Sequence, residues 1–341
     1  MSPIQFVCIA ATLPINWLPL GATAAPSAKG PIPKGIYALF HVDTKRTALP
    51  GDEAASKSFV TGIATRTYWN LIERKEGEFD WTVFDATLDL AKKHGRRAAF
   101  RVMNGTGTPE WVYAAGARRY DAGEWQGKSK GTVPVPWDAV FHEKWRRFLV
   151  AFGERYDAEP AVAYIAMSMP AGAWAELFHP KALRELPDYT YENWRATHER
   201  FISYYDSAFK TTPLTLALSG HGPLRQLAGD ITDHIIARHG PNNVRIYIQA
   251  NGWSDGGIMG APSPAIEKSF AAIWEKPLRH GFQQVAGVAW AKRGDTRMGD
   301  QTRANEVFLR LRGEYAEIYD TDILSEDCRG PLEQLAEALG R

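Results

Sequence analysis

The segment "MSMPAGAWAELFHP", residues 167–180, reads as a buried strand that breaks at Pro170 and Gly172 and then sets Glu176 between Trp174 and His179. A carboxyl group against an indole is a setting that raises its pKa and suits it to give up a proton, and such aromatics also stack on sugar rings. A surface glutamate beside ordinary core aromatics is the plainer alternative, and one motif does not separate the two. A second carboxylate is needed if Glu176 works as an acid on a glycosidic bond. Retaining pairs stand ~5–5.5 Å apart and inverting pairs ~6.5–9.5 Å apart, the wider gap leaving room for a water. Glu317 is the first choice for that partner, with Asp43 and Asp255, the latter in "NGWSDGG", as alternates. Asp255 before Gly also reads as a turn residue. Other chemistries find less support. His41, Asp43, Glu176 and His221 are types that ligate metals, but no H-E-x-x-H or C-x-x-C spacing occurs. "SGHG" (219–222) is not a G-x-S-x-G nucleophile elbow, and its glycines do not follow a phosphate-cradling pattern.

The elements that must position these groups alternate between short β-rich runs and helical ones. Strands are expected at 35–43, 62–69, 96–103, 161–169, 213–220, 244–251, 283–290 and 315–322. Helices are expected at "FDATLDLAKKHG", "FHEKWRRFLVAFGERY" and "YENWRATHERFISYYDSAF". Eight βα units predict an α/β fold of the (β/α)8 TIM-barrel type, with its site at the C-terminal strand ends; a doubly wound sheet is the runner-up. Alternation along each strand then selects the inward side chains. The sixth strand is clearest: Val244, Ile246, Ile248 and Ala250 form an outer apolar side, leaving Arg245, Tyr247, Gln249 and Asn251 inward. The same parity turns inward His41 and Asp43, Arg66, Arg101, His221 just past the fifth strand, and Glu317 with Tyr319. Barrel interiors also hold purely structural ion pairs, such as Arg66 or Arg101 with Glu317. Trp69, Trp174, Trp253 and Trp290 fall at strand ends or loops and are expected to line a substrate cleft.

Composition bounds the rest. The 341 residues, 45% hydrophobic and 23% charged, suit one large domain over 30–341. The net charge of +1, with Lys and Arg scattered, argues against nucleic acid as a partner. "FVCIAATLPINWLPL" followed by "ATAAPSA" reads as an export signal over 1–25, giving a secreted or periplasmic product; the run is short for a membrane span. Removal of Cys8 with that segment leaves Cys328 and no internal disulfide. The oligomeric state is open.

One further signal is carried by "YWNLIERKEGEFDWTVFDATLDLAKKHGRRAAFRV" (68–102) and "GTPEWV" (107–112). This run resembles the retaining glycoside hydrolases built on (β/α)8 barrels, especially β-galactosidase-like and cellulase-like members. In these, a strand-two aromatic is followed by EP-x-x-G-x-(F/Y)-(D/N)-(W/F), a helix with an aspartate, and a third strand leading to (T/P)-P-x-W. Glu73, Glu76, Gly77, Phe79, Asp80, Trp81, Asp85, Pro109 and Trp111 match that pattern. The resemblance implies an acid/base glutamate after strand four, the place of Glu176, and a nucleophilic glutamate at the end of strand seven. Two departures stand out: Ala175 precedes Glu176 where the family has Asn, and "QQVAGVAW" holds no carboxylate, so that Gln283 or Gln284 falls at the nucleophile position. The expected activity is hydrolysis of an oligo- or polysaccharide with a carbohydrate substrate and no cofactor. The alternatives are a catalytically inactive carbohydrate-binding barrel and a metal-dependent lyase or isomerase.

Overall fold

The computed structural model describes residues 33–45, 47–125, 128–129, 131–170, 181–218, 224–258 and 273–340. The proposed signal segment, Trp174, Glu176 and His221 lie outside the described residues. Eight parallel strands form the centre: β1 (Gly35–His41), β2 (Val60–Tyr68), β3 (Arg97–Met103), β4 (Val162–Met167), β5 (Leu214–Ala217), β6 (Ile246–Ser254), β7 (His280–Gln284) and β8 (Tyr315–Tyr319). Each pairs with its neighbours in sequence, β5 with β6 and β8 with β1, so the sheet closes on itself into the expected barrel. A short antiparallel strand, Gly257–Ile258, folds back on the end of β6.

Around the barrel run α1 (Thr82–Lys93), α2 (Ala139–Tyr156), α3 (Tyr191–Ala208), α4 (Leu224–His239), α5 (Gln301–Arg310) and α6 (Glu326–Ala338). Their starts are fixed locally. Asp138, Thr190 and Asp300 each accept a backbone N–H from three residues on, at 2.9, 3.0 and 2.9 Å, satisfying donors that a helix N-terminus leaves open. The outer faces of the strands meet the helices in one continuous apolar layer, in which Trp69, Trp145, Phe148 and Phe152 interlock. Each such side chain contributes about 1.5–3 kcal/mol by leaving water.

Two expected strands need correction. The seventh occupies 280–284 rather than 283–290, because the chain turns after Gln284 and Val288–Arg293 coils into a 3₁₀ helix. The true strand is "HGFQQ", whose glycine hid it: a Cβ at Gly281 would lie 2.0 Å from the ring of Tyr315. The sixth runs on to Ser254, with a register shift between Asn251 and Trp253.

The inner layer near the N-terminal strand ends is filled by Tyr37, Tyr164, Tyr247 and Tyr315, with ring centroids 5.0 Å apart for Tyr37 and Tyr164 and 4.9 Å for Tyr164 and Tyr315. Glycines make room for these rings: at Gly62 a Cβ would meet Tyr37 at 2.4 Å. Gly281→Ala should therefore lower unfolding free energy by about 1–3 kcal/mol in urea titrations, the range for overpacking a filled interior. Gly51→Ala, at an exposed position with open space around it, should change it by less than about 0.5 kcal/mol. Equal effects would show that the tyrosine floor is loosely packed.

Candidate functional site at the barrel mouth

Strand register sets the polar groups of the lumen at defined heights. Arg66 on β2 pairs directly with Arg101 on β3, Gln283 on β7 with Glu317 on β8, and Asn251 on β6 with Gln283. Immediately above the tyrosine floor lies Glu317, 2% exposed. Tyr164 donates its phenol to Glu317 Oε1 at 2.9 Å, and Gln249 donates Nε2 to Oε2 at 3.0 Å. A guanidinium nitrogen of Arg101 stands 3.7 Å from the same oxygen. Tyr315 in turn donates to Gln249 Oε1 at 2.7 Å. Burial first, and then the neighbouring Glu317 carboxylate, push both phenols well above their ordinary range, so they stay protonated donors. The space bounded by Leu39, Ala64, Arg101, Tyr164 and Glu317 has no room for a water molecule.

One level higher, Gln283 Oε1 accepts from Arg101 at 3.2 Å and from Arg66 at 3.4 Å. Above it the mouth opens. Arg66 is half-buried and lies over the ring of Tyr319 at 5.8 Å, and Tyr319 packs against Trp290 with ring centroids 4.4 Å apart. Beside them on β1, His41 is paired in register with Arg66 and meets Tyr68 with ring centroids 5.4 Å apart. Asp43, just past β1 and partly exposed, accepts the Lys45 amide at 2.7 Å. Burial holds the Tyr68 phenol above its usual range.

His41, Arg66, Arg101, Gln249, Asn251 and Glu317 share one lumen; Asp43 lies just past β1, and Trp290 reaches the mouth from the 3₁₀ helix after β7. Others are removed from it. Trp69, wholly buried, opens a short helical turn after β2 and points outward, its indole donating to Glu73 Oε2 at 2.8 Å. Trp253 is also wholly buried outside the barrel; the register shift before it reverses its parity, and its indole donates to Ala304 O on α5 at 2.5 Å. Neither can touch a ligand at the mouth. Asp255 accepts the Asp300 amide at 3.0 Å and so ties the turn before α5. Arg245 does not face the lumen: it pairs with Asp206 on α3 at 2.9 Å, below the strand proper. Two mouth residues escaped the sequence reading. Tyr68 stands two positions beyond Arg66 and was available from the same parity. Gln283, with Gln284 one of two amides at the expected nucleophile position, is the acceptor shared by two arginines, which strand pattern alone does not show. Its neighbour Gln284 is turned away, donating to Gln301 and Asp322 at 2.8 and 3.0 Å. Among the described residues, no group of three His, Cys, Asp or Glu gathers as a metal site, and no helix is long and apolar enough to cross a membrane.

The run that carries the family resemblance acts as a brace. Buried Glu73 accepts from the Trp69 indole, from the Gly77 amide and from Arg147 of α2, each at 2.8 Å, while the Trp111 indole donates to its backbone oxygen at 2.9 Å. Arg147 also pairs with Glu76. Asp85 on α1 accepts from Tyr156 at 2.8 Å and from Arg155 at 2.6 Å. These bonds clamp the β2–α1 segment onto α2 and fix the strand ends that present Arg66 and Arg101.

The enclosure of Glu317 leads to a clear expectation. Glu317→Gln keeps the shape but withdraws the charge beside Arg101, and should cost on the order of 3 kcal/mol of stability, as removal of one partner from a buried ionic network does. Loss of activity with an unchanged denaturation midpoint would instead make Glu317 a reacting group.

Residues 58–201 match the family model described as beta-galactosidase of the Glyco_hydro_42 type. No curated protein sequence matches the chain. Among solved structures, the catalytic domain of beta-amylase from Paenibacillus polymyxa superposes with a TM-score of 0.59 at 10% identity, over 90% of this chain and 98% of that one. The beta-galactosidase of the Antarctic haloarchaeon Halorubrum lacusprofundi gives a TM-score of 0.58 at 13% identity, over 89% of this chain and 58% of its own. Xylanase 10B from Thermotoga maritima gives 0.53 at 8%, over 89% and 95%. At these identities the structures establish the barrel. Residues 58–201 are thus similar in sequence to a glycoside hydrolase family, and most of the chain shares its (β/α)8 barrel with these neighbours.

Proposed function

We propose that the protein hydrolyses a glycosidic bond in an oligo- or polysaccharide, with Glu176 as general acid. The observation that carries this reading is the mouth itself. Half-buried Trp290, backed by buried Tyr319, stands beside hydrogen-bonding groups of both kinds, Arg66, His41, Asn251 and Asp43, above a floor sealed to water. A pyranose has one apolar face and a rim of hydroxyls, which is what such a surface complements. The family match over β2 to α3 and the fold of the neighbours support the same class of reaction.

In this scheme Glu176 gives its proton to the leaving oxygen, and a carboxylate on the opposite side takes one from water. Glu317 fits that second part poorly, since both its oxygens are engaged below the mouth. Asp43, partly exposed at the rim, is the better candidate, and acting as a base on water it would give an inverting reaction. One observation favours a second reading. An amide, Gln283, stands at the end of β7 where the resemblance places a nucleophile, as in a barrel that binds glycans without cleaving them. We also propose that the segment over 1–25 directs export; mass spectrometry of the mature chain tests this by locating its first residue.

A polysaccharide panel with reducing-end detection separates the two readings, since any product establishes catalysis. On a substrate that is turned over, Glu176→Gln should lower kcat by about 10²–10⁴-fold while leaving the melting temperature within error. NMR of the first-formed product should show the inverted anomer. A retained anomer excludes direct water attack, parental turnover by Glu176→Gln removes the acid assignment, and glycan binding without product establishes the second reading.

A further inference from the structure

Resting on the carbohydrate reading above, we propose that Asp322 is the positioning residue of the sugar-stacking wall: its carboxylate holds the backbone that carries Trp290 and so sets the indole against Tyr319 at the mouth. The 3₁₀ helix Val288–Arg293 begins a few residues past the end of β7, and none of its six residues is buried. Apolar packing alone therefore gives Trp290 little to fix its place. The hold comes from a polar group. Asp322 lies in a helical turn, Asp320–Ile323, directly after β8, and is fully buried. Its Oδ2 accepts the Val288 amide at 2.7 Å and its Oδ1 the Ala289 amide at 3.0 Å. These are the two residues immediately before Trp290. The indole itself rests between two surfaces: its ring centroid is 4.4 Å from that of Tyr319, and a Cβ at Gly287 would lie 2.9 Å from its Nε1.

The surroundings of Asp322 demand a carboxylate. Gln284 Nε2 is a third donor, 3.0 Å from Oδ2. Its amide has one workable orientation, because its Oε1 accepts the Tyr319 amide at 2.9 Å while Nε2 also donates to Gln301 Oε1 at 2.8 Å. Gln301 is oriented in turn by donating to Asn305 at 2.9 Å, and Asn305 by donating to Pro331 O of α6 at 2.7 Å. Three donors thus converge on two oxygens, each of which serves as an acceptor only. Asparagine at 322 has the same shape but sets an N–H₂ against at least one of those donors, and a buried donor left without its acceptor is costly. The backbone of Tyr319 and the backbone before Trp290 are therefore keyed to each other through Gln284 and Asp322, both fully buried behind the mouth.

Fluorine NMR of the full chain labelled with 5-fluorotryptophan tests this, the Trp290 resonance being the one missing from Trp290→Phe. Asp322→Asn should move or broaden that resonance and leave in place those of Trp69 and Trp145, which interlock in the outer apolar layer. In the unmutated protein the Val288 and Ala289 amides should exchange with solvent at least about ten-fold more slowly than those of Lys292 and Arg293, at the exposed end of the same helix. Sugar binding is read by calorimetry with cellotetraose, xylotetraose and β-1,4-galactotetraose. For a probe that binds, Trp290→Ala and Asp322→Asn should each weaken binding about three-fold or more, on the order of one ring contact, and the double variant should bind no more weakly than Trp290→Ala alone. An unmoved Trp290 resonance, shifts of every tryptophan resonance together, equal exchange at the four amides, or additive losses of affinity overturn the proposal. Glycan turnover indifferent to both substitutions removes this inference and leaves the glycosidase reading standing. A Trp290 resonance that depends on Asp322, with no glycan bound or cleaved, does the reverse.

Discussion

Closing eight strands creates an interior that must be filled, and in this protein the filling is polar as well as aromatic. A carboxylate in a space that excludes water is tolerated only when its oxygens are satisfied. Glu317 meets this condition through Tyr164 and Gln249, and Gln249 is oriented in turn by Tyr315. The chain of bonds joins β4, β6 and β8, so the ring of strands is cross-linked from within by side chains as well as by its ladder. What lies above inherits its position from that layer. Arg101 is held between Glu317 and Gln283, and Gln283 brings in Arg66. The mouth is thus the upper end of a network whose lower end is the barrel's own core.

The distribution of similarity along the chain has a physical counterpart. The matched stretch, residues 58–201, contains the brace around Glu73 and the Asp85–Tyr156 bond, which hold β2, β3 and their helices together. Gln283 and Glu317, which distinguish the lumen of this protein, lie on β7 and β8 beyond that stretch. Packing in the first half is tied to large aromatic volumes that tolerate little change. A strand-end polar group in the second half can change from acid to amide without altering its shape.

Much of this was legible in the amino-acid order. The rhythm of strands and helices gave the barrel, because apolar alternation is a direct imprint of one face packed and one face inward. Parity on the sixth strand correctly separated Tyr247, Gln249 and Asn251 from Ile246, Ile248 and Ala250. Trp253, expected at the strand end, is instead carried outward because a register shift adds a residue that strict alternation does not foresee. Trp69, also expected at a strand end, turns outward because a helical turn begins there. The seventh strand was displaced because "VAGVAW" has the composition of a strand, whereas "HGFQQ" owes its place to a neighbour's ring. Depth is the other quantity that a single sequence withholds. Parity put Glu317 inward, but its height on the axis follows from the stagger between strands, and height decides whether an acid meets substrate or supports an arginine.

The two dents left by Gly62 and Gly281 bear on how such a barrel assembles. Each receives a ring from the adjacent strand, Tyr37 from β1 and Tyr315 from β8. A slip by one residue along either seam would bring Ile63 or Phe282 opposite the tyrosine, a collision instead of a socket. The seams on both sides of the β8–β1 closure therefore carry a proofreading device. β1 and β8 are thus each held in one alignment by steric volume, β1 against β2 and β8 against β7, on either side of the seam where they meet.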